Sequence, residues 1–549
     1  MFGGYAAVSL VFFGLRIAPH PGRDLIGSGP DPEIFVWSLA WWPHAIAAWT
    51  NPFVSHAVYA PGGINLAWAT SVPGLALPLA PVTALFGPVV AYNVAAVLMP
   101  ALAAWTAFAL CRRLTGSVWA SLVGGYLFGF SSYILGHLVA GHLYLTAVFL
   151  LPLVALVIVR FTDGELSARG LSWRLGVLLA AQLSISTEIA ATLTLCLVGG
   201  LGLGLLLMRD RRAQLRALTL PTVGAYGVAA VIAAPLVVYA FIGFVGSSLS
   251  IPFSTDLANL VVPTPLTGLG GEHFAATSVR FRSGVHEAGL YLGAPLLLVV
   301  AHFAWHERRS PSARWLVAAV LVLVVLSLGA SLRIDGDRIV TLPWAAVQNL
   351  PVLNNVLPAR LGVFVWLLAA VISARWIATT RGATAVVVPL AVIATLAPAP
   401  WRGNSTLHPT RSAFFTTGAY RTCLPRGETL AVFPYGSFGD SMLWQAESGF
   451  AFNLAGGYLR YDPPATYAND PTAYKLNVLS NQPYLRPGPA ELLAFAHRHH
   501  VDRILSVPSA AYPDTTQMHA FGAVQVLDGM AVAPACGHTS LAGDTRPAG

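Results

Sequence analysis

The sequence predicts an all-α polytopic membrane protein of about eleven transmembrane helices, followed by a C-terminal extracytoplasmic α/β domain. Three observations predict it. The 549 residues are 56% hydrophobic and only 10% charged, against about 25% charged residues in an average soluble domain. Apolar runs such as TEIAATLTLCLVGGLGLGLLLM and TLPTVGAYGVAAVIAAPLVVYAFIGFVG are long enough to cross about 30 Å of hydrocarbon as helices. The composition then turns polar at APAPWRGNSTLHPTRS. A formal net charge of +8 implies no nucleic-acid partner, because the arginines stand in short clusters between apolar runs, where they set topology.

The chain opens MFGGYAAVSLVFFGLRIAP, with neither a basic n-region nor a small-residue cleavage site, and reads as a short first span rather than a removable signal. Spans are placed near 4–19, 88–110, 118–136, 142–161, 171–186, 187–208, 218–245, 287–306, 313–330, 360–379 and 383–400, on unbroken apolar content. The connections carrying Arg112 and Arg113, then Arg160, Arg169 and Arg174, then Arg209, Arg211, Arg212 and Arg216, then Arg308, Arg309 and Arg314, and last Arg375 and Arg381, all fall on one side of this count. The positive-inside rule makes that side cytoplasmic. The run 72–87, VPGLALPLAPVTALFG, is short and carries three prolines, so it reads as an interfacial or re-entrant helix. Loops 20–87, 246–286 and 331–359 and the tail 401–549 then face the extracytoplasmic side of the inner (plasma) membrane.

Residues 1–400 form the membrane domain and 401–549 the second domain. In the tail, ETLAVFPYG and VDRILSVPS read as strands, PAELLAFAHRHH as a helix with a solvated HRHH end, and AVQVLDGMAVAPA as a hairpin. Cys423 and Cys536 bracket the tail on the oxidising side, so a disulfide closing it is one reading, while Cys111 and Cys196 read as reduced.

The first loop holds GSGPDPEIFVWSLAWWPH. A helix starting after Pro30 places Asp31 at or near the N-cap, Pro32 in the first turn and Glu33 beside the positive end of the dipole. Phe35, Leu39, Trp42 and Ile46 share one face. With Trp37, Trp41, Trp42 and Trp49 favouring headgroup depth, the helix is expected to lie along the outer leaflet.

A first span, a long outer loop with an acidic residue near its start, interfacial helices in that loop, about a dozen spans and an external domain together resemble the GT-C class of polyprenyl-phosphate-sugar-dependent glycosyltransferases. In local sequence, DPEIFVWSLAWWPHAIAAWTNPFVSHAVYAPGGINLAW, followed by FGPVVAYNVAAVLMPALAAWTAFALCRRL, is similar to bacterial membrane proteins grouped with that class. The resemblance implies an inverting transfer from a polyprenyl-phosphate-linked sugar to a glycan or glycolipid acceptor, with the first-loop carboxylate as general base. Asp31 matches that position, with Glu33 as second choice. A carboxylate in a partly desolvated, aromatic-walled cleft suits the task; a helix cap and a dipole partner are the structural alternative for the two.

The donor's phosphate calls for cations at headgroup depth. Arg360, in NNVLPARLGVF, is the first candidate, followed by Arg280, Arg282 and His286 in SVRFRSGVHEAGLYLG; a snorkelling anchor or plain loop charges are the alternatives. Glu188, in SISTEIAATL, is either a functional membrane acid or a cap with Thr187, and Glu287 a cap or a partner for Arg282. His137 and His142 flank LVAG. Their five-residue spacing, with no carboxylate adjoining in sequence, favours hydrogen bonding to substrate or headgroup over a metal. Trp41 completes the substrate-binding candidates. No cofactor is expected, a divalent metal is allowed but not indicated, and neither VGGYLFG nor GLGLG has the lysine of a nucleotide loop. The tail stretch FPYGSFGDSMLWQAESGFAFNLAGGYLRY, with Asp440, Gln445, Glu447 and Asn453, suits sugar rings, or a packed surface against the membrane part. A transporter or flippase of lipid-linked glycans is the rival function and would call for broken helices or pseudo-symmetric halves. An O-antigen-type ligase or polymerase is a third reading within the same chemistry.

Overall fold

In hydrocarbon a backbone has no water to bond, so apolar runs satisfy their own peptide groups as helices. The computed structural model describes residues 1–242, 253–350, 353–399, 406–460, 462–479, 482–506, 525–528 and 538–540. Six helices among them are long and apolar enough to span a membrane: Pro88–Thr115, Val118–Val139, Leu143–Thr162, Thr187–Leu207, Arg209–Ile232 and Pro358–Thr379. Phe2–Gly14, Pro73–Phe86, Gly293–His306, Pro311–Ser327 and Thr384–Leu396 are apolar but shorter. Six therefore qualify where the sequence suggests eleven. The expected spans that fall short are Phe2–Gly14, Gly293–His306, Pro311–Ser327 and Thr384–Leu396, which are too short, and Ala168–Ile185, which carries Arg169 and Arg174; the run expected over 218–245 qualifies as part of Arg209–Ile232, then restarts as Ala234–Phe241 with a proline in its first turn.

Serine sets the starts of five helices. Ser117, Ser131, Ser167, Ser186 and Ser310 each accept a backbone N–H three residues ahead through the side chain, which satisfies donors the first helical turn leaves bare. Arg112 and Arg113 close the last turn of Pro88–Thr115, and Arg160 closes that of Leu150–Thr162. His142 and Glu188 stand at the starts of the helices beginning Leu143 and Thr187.

After residue 405 the chain builds a five-stranded sheet in which Thr429–Phe433 is flanked by Asn453–Leu454 and Arg503–Ser506, both parallel to it, then Gln525–Asp528 parallel and His538–Ser540 antiparallel. The expected hairpin over AVQVLDGMAVAPA is described only for its first strand, and 529–537 lie outside the described residues. So do the expected boundary at 400/401 and Cys536. Cys423 is disulfide-bonded, and Cys111 and Cys196 are free thiols. The HRHH end is not fully solvated: His499 is buried, with Nε2 2.9 Å from Asp470 Oδ2 and its ring stacked on Tyr467.

Two apolar clusters make up the core. One joins the membrane helices from Ala103 to Leu396; the other joins the first helix, the first loop, the membrane-helix residues Val89 to Ala104 and Phe130 to Leu150, and the region from Phe414 to Leu505. The helix Asp31–Ala47 lies inside the second cluster, so it is not the lipid-facing surface helix expected. Trp37, Trp41 and Trp42 are buried and donate to Gln445 Oε1 at 2.7 Å, Pro52 O at 3.0 Å and Ser71 O at 2.8 Å. Only Trp49, 96% exposed, keeps an open face. The indoles bury apolar area and find acceptors in protein rather than headgroups.

Candidate functional site

Two glycines bring the site together. Gly141, in LVAGH, has φ +77°, and a Cβ there would lie 2.4 Å from Pro32 Cγ. This lets the turn after Ser132–Val139 lie against the start of the Asp31 helix. Gly136 sits one side of that helix, where a Cβ would fall 2.3 Å from the carbonyl oxygen of His286. The short helix Gly284–Glu287 can thus touch the His137 helix backbone to side.

Asp31 is the first residue of its helix, and its side chain does not cap it. The cap expectation is corrected: the preceding Pro30 occupies that position with no side-chain bond, and the carboxylate points elsewhere. Its Oδ2 lies 2.9 Å from His142 Nε2, and its Oδ1 accepts the Tyr458 hydroxyl at 3.1 Å. His142 Nδ1 is 3.1 Å from His137 Nδ1, and His137 Nε2 is 3.9 Å from Glu287 Oε2. Glu287 in turn accepts from Arg360 Nη2 at 2.6 Å, and Arg360 Nη1 donates to Glu188 Oε2 at 2.5 Å and to Tyr144 Oη at 3.0 Å. Arg360 is only 7% exposed. A buried guanidinium persists because two carboxylates and a phenol take its donors.

Burial alone would push Glu287 up, but Arg360 and His137 beside it outweigh that and hold it at about 2. Burial, with His142 adding, pushes His286 down from its ordinary value. Three polar atoms around this network, Tyr133 Oη, Glu188 Oε1 and His286 Nδ1, are buried without a hydrogen-bond partner among the described residues, and a buried polar atom left so is costly unless something else meets it. His137, His142 and Glu287 each offer one ligand atom within 4.8 Å of the others. Two imidazoles and a carboxylate suit a divalent transition ion.

Of the expected site residues, Asp31, His137, His142, Glu188, His286 and Arg360 converge here. Arg360 is not the free phosphate cation expected, because its charge is already shared between Glu188 and Glu287. Glu33 points the other way: it is buried, hydrogen-bonded to Asp440 and the Leu443 backbone, and burial followed by Asp440 raises it well above the carboxylate range. Arg280 pairs with Asp335, and Arg282 is exposed on the loop, so neither touches the network. Trp41 stacks on Trp37 at 5.3 Å with Phe450 at its edge and packs the core. Sequence reasoning missed Tyr144, Tyr133 and Tyr458 as site residues and gave Glu287 the wrong arginine. Glycines on both sides of the contact, in GSGPDP and LVAGH, were the available signal: a Cβ on Gly27 would fall 2.9 Å from the Gly141 Cα.

In fold the chain is similar to the Archaeoglobus fulgidus oligosaccharyltransferase in complex with Zn and sulfate (TM-score 0.55, 12% identity, 92% of this chain and 67% of that one). It is similar to the same organism's AglB in complex with an inhibitory peptide and a dolichol-phosphate (TM-score 0.55, 11% identity, 92% and 68%). It is also similar to the arabinofuranosyltransferase AftD from Mycobacteria (TM-score 0.54, 16% identity, 92% of this chain), of which it spans 36%. The fold is therefore that of the GT-C class, in a multi-pass membrane protein. No curated protein matches the chain in sequence. Residues 3–397 match the family described as Domain of unknown function (DUF6311).

Proposed function

The chain belongs to the DUF6311 family, and from that premise and a GT-C fold we propose that it is an inverting glycosyltransferase. It moves a sugar from a polyprenyl-phosphate donor to a glycan or glycolipid acceptor at the extracytoplasmic face of the plasma membrane. The observation that carries this reading is Asp31, held by His142 and Tyr458 beside a buried Arg360, Glu188 and Glu287 network with unmet polar atoms. The bound dolichol-phosphate of the similar archaeal AglB supports the donor class.

In the proposed reaction Asp31 takes the acceptor hydroxyl's proton as that oxygen bonds to the sugar's anomeric carbon. The bond from that carbon to the phosphate oxygen breaks on the opposite face, and polyprenyl phosphate leaves with the electron pair. Such positioned proton transfer contributes roughly a hundred- to ten-thousand-fold.

Carboxyl groups outnumber guanidinium three to one in this site, which by itself repels a phosphate. His137, His142 and Glu287 are the groups through which a divalent cation would offset that imbalance, and when bound it would supply charge compensation for the leaving phosphate. Arg360 keeps Glu287 ionised and turned toward the pair of histidines.

Purified protein given a radiolabelled polyprenyl-phosphate sugar and a mixed acceptor pool tests the reading. Asp31→Asn is expected to lose transfer by the factor given above. Transfer at the wild-type rate in that variant would remove Asp31 as the base, and movement of the donor across vesicles without bond formation would replace the enzyme with a flippase.

A further inference from the structure

We propose that Tyr458 is the positioning residue for Asp31, delivered from the C-terminal region by a loop built for that purpose; this rests on the reading of Asp31 as the base. The loop follows the strand Asn453–Leu454, and its conformation depends on two adjacent glycines. Gly456 and Gly457 have φ +137° and +145°. A Cβ on the first would lie 2.5 Å from the Tyr435 hydroxyl, and one on the second 3.2 Å from Val58 Cβ. Only a chain without side chains there passes between the sheet and the first loop.

The first loop pins it bond by bond. Leu454 N–H donates to Ala57 O at 2.8 Å, Ala60 N–H to Leu454 O at 3.0 Å, and Tyr59 N–H to Gly456 O at 2.8 Å. The Tyr59 hydroxyl donates to Gly457 O at 2.8 Å, and Met442 Sδ accepts the Tyr458 N–H at 3.1 Å. With the backbone held on both sides, the Tyr458 side chain is presented to the Asp31 helix, and its hydroxyl meets Asp31 Oδ1. Burial and the neighbouring Asp31 raise the phenol's affinity for its proton, so Tyr458 stays a donor.

Asp31 is thereby gripped at both oxygens by groups far apart in sequence: Oδ2 by His142 from the membrane helices and Oδ1 by Tyr458, 427 residues away. A carboxylate held at one oxygen swings about its Cβ–Cγ bond. Held at two, it keeps its plane and offers its remaining lone pairs in fixed directions, and such fixing of a reacting group lowers the barrier rather than the substrate affinity. The C-terminal region thus completes the site instead of merely covering it.

The full-length protein in nanodiscs, with the same radiolabelled donor, tests this in two ways. Tyr458→Phe is expected to lower kcat about tenfold, the loss typical of one charge-assisted hydrogen bond, with donor KM and Tm unchanged. Infrared difference spectra supply a readout independent of turnover: the Asp31 carboxylate stretch, identified by its loss in Asp31→Asn, is expected to shift in Tyr458→Phe. A wild-type kcat, or an unmoved carboxylate band, overturns the proposal. A moved band with no transfer by any variant, wild type included, upholds the clamp and instead defeats the glycosyltransferase reading.

Discussion

At Arg360 the sum of charges decides the design. Its guanidinium serves Glu287 through two nitrogens and Glu188 through the third, so losing it strands the buried Glu287 and the half-buried Glu188. Removing one partner of a buried pair costs about 3–5 kcal/mol. Arg360→Met is expected to lower Tm in detergent sharply, and Arg360→Lys to recover little, because a single ammonium lacks the fork that reaches both acids. A Tm within a degree of wild type in Arg360→Met would show that the carboxylates find other partners. Gly141 is the complementary case, a residue with no side chain on which a contact depends. Gly141→Ala adds a Cβ 2.4 Å from Pro32 at φ +77°. We expect transfer to fall by a larger factor than stability, because the displaced turn carries His142 away from Asp31; kcat and Tm measured on the same preparation check this.

At the scale of elements, the Asp31–Ala47 helix is a shared wall with a different duty on each side. One side bears Asp31 toward the histidines; the other bears Glu33 against Asp440 and Trp37 against Gln445. Glu33 has its folded-state value raised, so the folded protein keeps a proton that the unfolded chain releases above about pH 4.3. Its stabilising contribution is present below that pH and declines as pH rises toward the folded value. Glu33→Gln keeps the contact to Asp440 without an ionisable group. Thermal melts are expected to show this variant gaining on wild type between pH 5 and pH 8, with the difference smallest at the acid end; a pH-independent difference would place the proton elsewhere.

For the whole molecule, the first loop and the C-terminal sheet share one apolar cluster, into which Pro88–Thr115 and the helices between Phe130 and Leu150 also reach, while a second cluster joins the remaining faces of the membrane helices. Covering by the C-terminal region, through Gln445 and Phe450, explains why Trp37 and Trp41 are dry, whereas Trp49 is open. That exposure offers a test of orientation. Trp49→Cys is expected to react with a membrane-impermeant maleimide added to intact cells, with the protein's native thiols as controls in the unmutated chain; labelling only after permeabilisation would reverse the proposed sidedness and place the site in the cytosol.

Much of this was legible in the chain. Low charge and long apolar runs dictate helices in lipid whatever their neighbours, since the peptide groups have no other partner, and the strands around ETLAVFPYG and VDRILSVPS appear where β-branched residues and turn signals put them. Asp31 stood out because a carboxylate beside tryptophans is conspicuous in so apolar a sequence. What the tertiary structure alone decided is whom each polar side chain meets. Glu33 and Asp31 are two residues apart, yet one faces Asp440 and the other His142; Arg360 finds Glu287 rather than a phosphate, and Tyr458 reaches Asp31 across most of the chain. Hydrophobic patterning is local and survives in sequence, whereas a pairwise contact between distant charges depends on how backbones are allowed to approach, which here rests on glycines whose neighbours only the folded chain defines.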